Sequence, residues 1–112
     1  MNTKERTLIE VTEANFDAEV IKAKVPVIVD FYADYCIPCR IFKPFLARFA
    51  EELGDGAKVV TVDAIANPDL SASHRIAAVP TLLIFKNGKE TARFAGLVSE
   101  DVLRGALTGD AK

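Results

Sequence analysis

The sequence predicts an α/β fold with a central mixed β-sheet flanked by helices, in the order βαβαβαββα. Three observations carry this reading. The run from Val25 to Val29 is β-branched apart from Pro26 and continues through Asp30, Phe31 and Tyr32, the pattern of a strand buried on both faces. From Cys36 to about Leu53, apolar residues recur at spacings of three and four, which marks a long amphipathic helix. Lys86-Asn87-Gly88-Lys89 sits between two β-rich stretches, and Asn-Gly there is the strongest short signal for a hairpin. Strands separated by helices are expected to pair in parallel, with the hairpin adding antiparallel strands.

In chain order, Leu8 to Val11 is a short apolar strand candidate, and Thr12, Glu13 and Asn15 form a polar cluster able to cap a helical segment from Phe16 to Lys22. The strand through Val25–Tyr32 follows, then the long helix, in which Pro44 should produce a kink. Its Phe42, Phe45 and Phe49, like Phe85 further on, are expected to be core packing. Gly54, Asp55 and Gly56 stop that helix, and Lys58 to Asp63 reads as a strand. Asn67-Pro68 supplies a side-chain cap and a ring at the first position of a short helix reaching about Arg75. Its His74, the chain's one histidine, is expected to be a solvated surface residue. Thr81–Phe85 and Thr91–Phe94 form the hairpin and Gly96 breaks its second strand. Ser99 then caps a final helix presenting Val102, Leu103, Ala106 and Leu107 on one side, and the tail from Gly109 to Lys112 should fray.

Composition narrows the function. With 112 residues, half of them apolar and no repeat or linker, positions 1–112 read as one domain that needs no disulfide merely to fold. Fourteen basic residues against sixteen acidic ones build in no attraction to phosphate backbones or anionic lipid, so neither nucleic acid nor a membrane is an expected partner. No apolar run approaches the roughly 18 residues of a membrane span, and Met1–Glu10 lacks the apolar core of a signal peptide. A cytoplasmic protein is expected.

The two cysteines stand together in Cys36-Ile37-Pro38-Cys39, where a buried strand has ended and a long helix begins. The first sulfur therefore faces unpaired backbone N–H groups and the positive end of a helix dipole, a setting that lowers a thiol pKa. A thiolate attacks disulfides, and a second thiol one helical turn away can resolve the resulting mixed disulfide. A zinc site would need further ligands, and the chain offers no second cysteine pair and one histidine, so no metal is expected. A purely structural disulfide across so short a loop would constrain the unfolded chain by only about 2 kcal/mol.

The segment Val27-Ile-Val-Asp30-Phe-Tyr-Ala-Asp-Tyr-Cys36-Ile-Pro-Cys39-Arg40 resembles the active-site segment of thioredoxins. The likeness continues in order through Phe45, Val62-Asp63, Asn67-Pro68, Val79-Pro80-Thr81-Leu-Leu-Ile-Phe-Lys-Asn-Gly88 and Phe94-Ala-Gly96. This resemblance implies a thioredoxin fold and a thiol-disulfide oxidoreductase that reduces protein disulfides through Cys36 and Cys39, without a bound cofactor. It also implies disulfide-containing protein substrates, a thioredoxin-reductase-like electron donor and a monomeric carrier.

Residue by residue, the resemblance implies that Cys36 is the exposed nucleophile and Cys39 the more buried resolving thiol. Asp30 ends an apolar strand, and from the residues alone its side chain faces either solvent or the interior. The resemblance implies a desolvated carboxylate of raised pKa that exchanges a proton with Cys39. Val79-Pro80 reads locally as an ordinary proline before a strand, whereas the resemblance implies a cis-proline facing the cysteines, with the Val79 backbone free to pair with an extended substrate. Gly96 either lets a substrate backbone approach or is simply a turn glycine.

The chain departs from the family at several positions. It has no Trp, and Tyr35, Tyr32 and Ile37 stand where thioredoxins usually carry Trp, Trp and Gly. These changes leave the chemistry intact and alter the contact surface around Cys36, where Tyr35 would meet substrate. Val59 replaces a family lysine near the buried carboxylate, and alternation points Lys58 the other way, so Asp30 is expected to lack a neighbouring positive charge. Ile37 and Pro38 tune the redox pair; Pro38 removes one N–H, no histidine stands between the cysteines, and a reductant is expected. The competing readings are a disulfide oxidase or isomerase module, which the missing export signal disfavours, and a binding or chaperone module using the altered Tyr35 and Ile37 surface.

Overall fold

In the computed structural model, which describes residues 8–108, five strands form one sheet in the order β1-β3-β2-β4-β5. The strands are β1 (Ile9–Glu10), β2 (Val27–Tyr32), β3 (Lys58–Asp63), β4 (Thr81–Lys86) and β5 (Lys89–Ala95), and the helices are α1 (Ile37–Leu53), α2 (Pro68–Ser73) and α3 (Glu100–Thr108). The expected fraying of Gly109–Lys112 lies outside the described residues. Among the described residues no helix is long and apolar enough to cross a membrane.

Period-two alternation divides each central strand between two apolar layers. Val29, Phe31, Val60, Val62, Leu83 and Phe85 face one layer, which Phe16 and Val20 complete. Ile28, Val59, Leu82 and Ile84 face the other, against Phe42, Leu46 and Phe49 of α1 and Leu103 of α3. Phe42, Phe45 and Phe49 stack nearly parallel along α1, with centroids 5.2 and 5.9 Å apart. The Arg104 guanidinium of α3 lies 4.9 Å above the Phe49 ring and pairs with Glu52 at 2.7 Å, tying the two helices of this layer. Pro44 cannot donate to the Arg40 carbonyl, yet α1 runs through it without ending.

β2 and β3 are parallel, as a crossover through a long helix requires, but β4, which follows α2, runs antiparallel to β2. This corrects the expectation that every helix-separated strand would be parallel. Six residues of α2 rise about 9 Å, whereas a six-residue strand spans about 20 Å. The chain therefore has not returned to the starting end of the sheet when it begins β4. The hairpin closes through Asn87 (φ 53°) and Gly88 (φ 79°), the pair of left-handed residues that matches strand twist.

Several local expectations are corrected. The segment after Asn15 is a π-wound turn, Asp17–Ile21, closed by Lys22 N donating to the Asp17 carbonyl at 2.9 Å. The wider turn brings Val20 and Ile21, four and five residues after Phe16, onto the same apolar layer. The Asn15 side chain folds back to accept from Thr12 N at 2.7 Å and does not cap the turn. Asn67 does not cap α2 either: Glu13 Oε2 accepts from Asp69 N at 2.9 Å and Leu70 N at 3.3 Å, while Asn67 Oδ1 accepts from Glu13 N at 3.1 Å. Finally, α2 ends at Ser73, Arg75 adopts φ 56°, and His74 is half-buried with its ring 5.0 Å from Phe16 and 5.7 Å from Phe85. The early helix end turns the imidazole inward, and it is not a solvated surface group.

Candidate active site

Cys36 occupies the N-cap of α1, in extended backbone conformation, and Ile37 and Pro38 form the first turn. Pro38 needs no N–H there, because the first amides of a helix have no partner within it. Cys36 and Cys39 are disulfide-bonded, with Cα atoms 5.2 Å apart, and Cys39 N donates to Cys36 Sγ at 3.2 Å. In this oxidised state Cys36 is 7% exposed and Cys39 3%, so the expectation of an exposed Cys36 is corrected to a small residual accessibility. The pair packs with Ala33 in a small cluster bordered by Tyr32 and Val79. Arg40 Nε donates to the Asp34 carbonyl at 2.9 Å, closing the loop that carries Tyr35. Tyr35 and Ile37 project outward, 71% and 61% exposed, beside the disulfide.

The Val79–Pro80 peptide is cis, and the Val79 carbonyl oxygen lies 3.8 Å from Cys36 Sγ. Pro80 is buried, and its carbonyl accepts from Gly96 N at 2.8 Å. Gly96 has φ 88° with nothing within 4 Å of where a Cβ would stand. Its amide is thus committed to the Pro80 segment, and its outer side is open.

Asp30 lies on the α1 side of β2, 1% exposed, and its Oδ1 has no hydrogen-bond partner among the described residues. Together with Cys39, Lys43 and Tyr32 it lines a cavity of about 80 Å³. Burial pushes the Asp30 carboxyl from 3.8 up to about 7; Lys43 opposes that rise and Glu10 adds to it. Val59 is buried on this same layer, and Lys58 points to the opposite side, where its Nζ meets Glu19 Oε1 at 2.6 Å. The expectation that no positive charge neighbours Asp30 is nevertheless corrected, because α1 supplies Lys43. Sequence reading missed Lys43; the available signal was its position four residues after Cys39, on the same helix face. It missed Glu10 too, whose carboxylate accepts from the Tyr32 hydroxyl at 2.8 Å and from Thr61 Oγ1 at 3.1 Å.

The thioredoxin family model matches residues 7–108. The chain is 38% identical over 97 residues to Thioredoxin 1 of Synechococcus elongatus, covering 87% of this chain and 91% of that one. It is 40% identical over 98 residues to the thioredoxin of Porphyra purpurea, covering 88% and 92%. It is also 40% identical over 92 residues to the chloroplastic Thioredoxin Y of Oryza sativa subsp. japonica, covering 82% of this chain and 55% of that one. With a mixed sheet that places a helix-start disulfide against a cis-proline segment, the chain belongs to the thioredoxin family and is a thiol-disulfide oxidoreductase that reduces protein disulfides through Cys36 and Cys39.

Proposed function

We propose that Cys36 is the attacking sulfur, Cys39 the resolving one, and Asp30 the acceptor of the Cys39 proton. In the reduced protein the Cys36 thiolate attacks one sulfur of a target disulfide, forming a mixed disulfide and releasing the first target thiolate. The Cys39 thiol gives its proton to Asp30, and the resulting thiolate attacks Cys36 Sγ. That step forms the Cys36–Cys39 disulfide and releases the second target thiolate; both target sulfurs then take protons from Asp30 and solvent. Two electrons have passed to the target.

The observation that carries this reading is the buried Asp30 oxygen, without a hydrogen-bond partner among the described residues, in a cavity shared with Cys39. A carboxyl that titrates near 7 can both accept and return a proton around neutrality. For the order of attack, the support is the residual accessibility of Cys36 and its place at the helix cap. Val79 and Pro80 would align an extended target segment, with Tyr35, Ile37 and the open side of Gly96 forming the contact surface. Pro38, lacking an N–H, supports a reductant over an oxidant. We place the chain, as one domain over 1–112, in the cytoplasm as a monomeric electron carrier recharged by a thioredoxin-reductase-like donor.

Trapping tests the roles of the two sulfurs. Against a disulfide-bonded protein such as insulin, Cys39→Ser accumulates a mixed disulfide through Cys36, and Cys36→Ser accumulates none. Equal trapping by both variants would refute the assignment. Equilibration with glutathione buffers checks the direction, since a potential as high as that of a dedicated oxidase refutes the reductant.

A further inference from the structure

The segment that carries Val79 and Pro80 is gripped from β5 at both ends. At its exit, Gly96 N donates to the Pro80 carbonyl at 2.8 Å. At its entry stands Arg93, whose Nη2 donates to the His74 carbonyl at 2.7 Å and whose Nη1 donates to the Arg75 carbonyl at 3.2 Å. Glu90 braces the same guanidinium, accepting from Nε at 2.8 Å and from Nη2 at 3.0 Å. Carbonyls at a helix end lack partners within the helix, and a planar guanidinium can serve two of them and a carboxylate at once.

We propose that Arg93 is a positioning residue for target alignment: clamped on the His74 and Arg75 carbonyls, it sets the course of the chain that presents the Val79 backbone beside Cys36. This rests on the reading that Val79 and Pro80 align an extended target.

Strand alternation alone would send Glu90 and Arg93, three positions apart, to opposite faces. A bulge prevents this: Ile84 pairs with Ala92 and Phe85 with Glu90, so Thr91 is an extra residue on β5. Arg93 stands opposite Leu83 and Glu90 opposite Phe85, and both side chains come to the face of the sheet on which His74 packs against Phe16 and Phe85. Arg75, between the two clamped carbonyls, has φ 56°, a conformation that a residue with a Cβ disfavours. Each peptide plane flanking it is pinned twice. In the first, Arg75 N donates to the Ala72 carbonyl at 3.1 Å while the His74 carbonyl is held by Arg93. In the second, Ile76 N donates to the Ser71 carbonyl at 2.9 Å while the Arg75 carbonyl is held by Arg93. Without the guanidinium only the amide side of each plane stays anchored, and the planes can tilt. Three residues separate Arg75 from Val79, whose carbonyl oxygen lies 3.8 Å from Cys36 Sγ, so a tilt at Arg75 carries through to the groups a target would pair with.

The test uses two versions of one disulfide-linked peptide, the second N-methylated on the backbone amides flanking its cysteine, and reads the ratio of their kcat/KM values for reduction. Arg93 is exposed on an edge strand, so Arg93→Met, which keeps the apolar stem, and Arg93→Lys, which keeps the charge without the planar fork, leave the apolar layers intact. The native protein is expected to favour the unmethylated peptide by about tenfold, the size of a lost hydrogen bond. Both variants are expected to shrink that ratio by about threefold or more. A ratio cancels any common change in Cys36 reactivity or in the folded fraction, which a merely structural role would produce. An unchanged ratio in Arg93→Met overturns the role of Arg93, and full retention by Arg93→Lys assigns the effect to charge and overturns the clamp. A native protein indifferent to methylation overturns the alignment reading, and the proposal with it; the two failures are told apart because one appears in the native protein and the other only in the variants.

Discussion

Asp30 and Cys39 line one cavity of about 80 Å³ between β2 and α1, and within it Asp30 Oδ1 has no hydrogen-bond partner among the described residues. The volume exceeds the roughly 10–15 Å³ a water needs, so a proton can pass between the two groups through solvent. An ionised carboxylate is costly in such a setting, and that cost is what holds Asp30 near neutrality.

The same burial makes Asp30 a source of pH-dependent instability. Its folded value of about 7 lies above the ordinary 3.8, so the folded protein holds the proton more tightly than the unfolded chain. Its penalty is absent below about pH 4, grows as pH rises through that window and is complete above about 7. The rise from 3.8 to about 7 corresponds to an upper bound of about 4 kcal/mol. Oxidised Asp30→Asn is expected to exceed the native protein in stability by about 2–4 kcal/mol near pH 8, with the gap closing toward about pH 4. Urea unfolding across that range checks this, and a gap that does not change with pH would contradict it.

His74 acts in the opposite sense. Desolvation against Phe16, Phe31 and Phe85 lowers its pKa from 6.5, although Glu90 pulls the other way. The folded state therefore resists protonating it, and stability is lost as pH falls below about 6.5. Relative to His74→Gln, the native protein is expected to lose more stability between about pH 7 and about pH 5. Thermal unfolding of the pair at several pH values measures the difference, which cancels the contribution of Asp30.

Glu13 and Asn67 form a clamp between the loop after β1 and the start of α2. Besides accepting from Glu13 N, Asn67 donates through Nδ2 to the Asp63 carbonyl at 3.0 Å. Glu13→Ala removes the acceptor for two helix-start amides and is expected to cost about 1 kcal/mol. Asn67→Ala takes the acceptor from the Glu13 amide and one of two donors from the Asp63 carbonyl, which still accepts from Asn67 N at 3.1 Å, and should cost about 1 kcal/mol. Because Asn67 holds the Glu13 backbone whose side chain accepts from the α2 amides, the double variant should lose less than the sum of the single losses. A denaturant double-mutant cycle reads the coupling.

Two glycines should respond differently to alanine. At Gly96 only the left-handed backbone resists a side chain, so Gly96→Ala is expected to cost about 1 kcal/mol. At Gly88, with φ 79°, a Cβ would also stand 3.1 Å from the Ile21 carbonyl oxygen. Gly88→Ala should therefore cost more, about 2 kcal/mol or above. Equal losses in denaturant unfolding would show that Ile21 does not constrain the turn.

Much of the fold and the position of the redox pair was readable from residues alone. The buried pattern of Val27–Tyr32, the period of Phe42, Phe45 and Phe49, the Asn87-Gly88 turn and the helix start at Cys36 are all local, and periodicity or backbone preference dictates them whatever surrounds them. Other features depend on what long-range folding brings alongside. Glu13 caps a helix more than fifty positions away. Chain reversal after the short α2 aligns β4 antiparallel to β2, and the early end of α2 buries His74 among phenylalanines. The charge beside Asp30 comes from α1 and not from β3. Period and turn chemistry act between near neighbours, whereas electrostatics and burial act through space, so a carboxylate's proton affinity has no value until the helix carrying Lys43 is packed beside it.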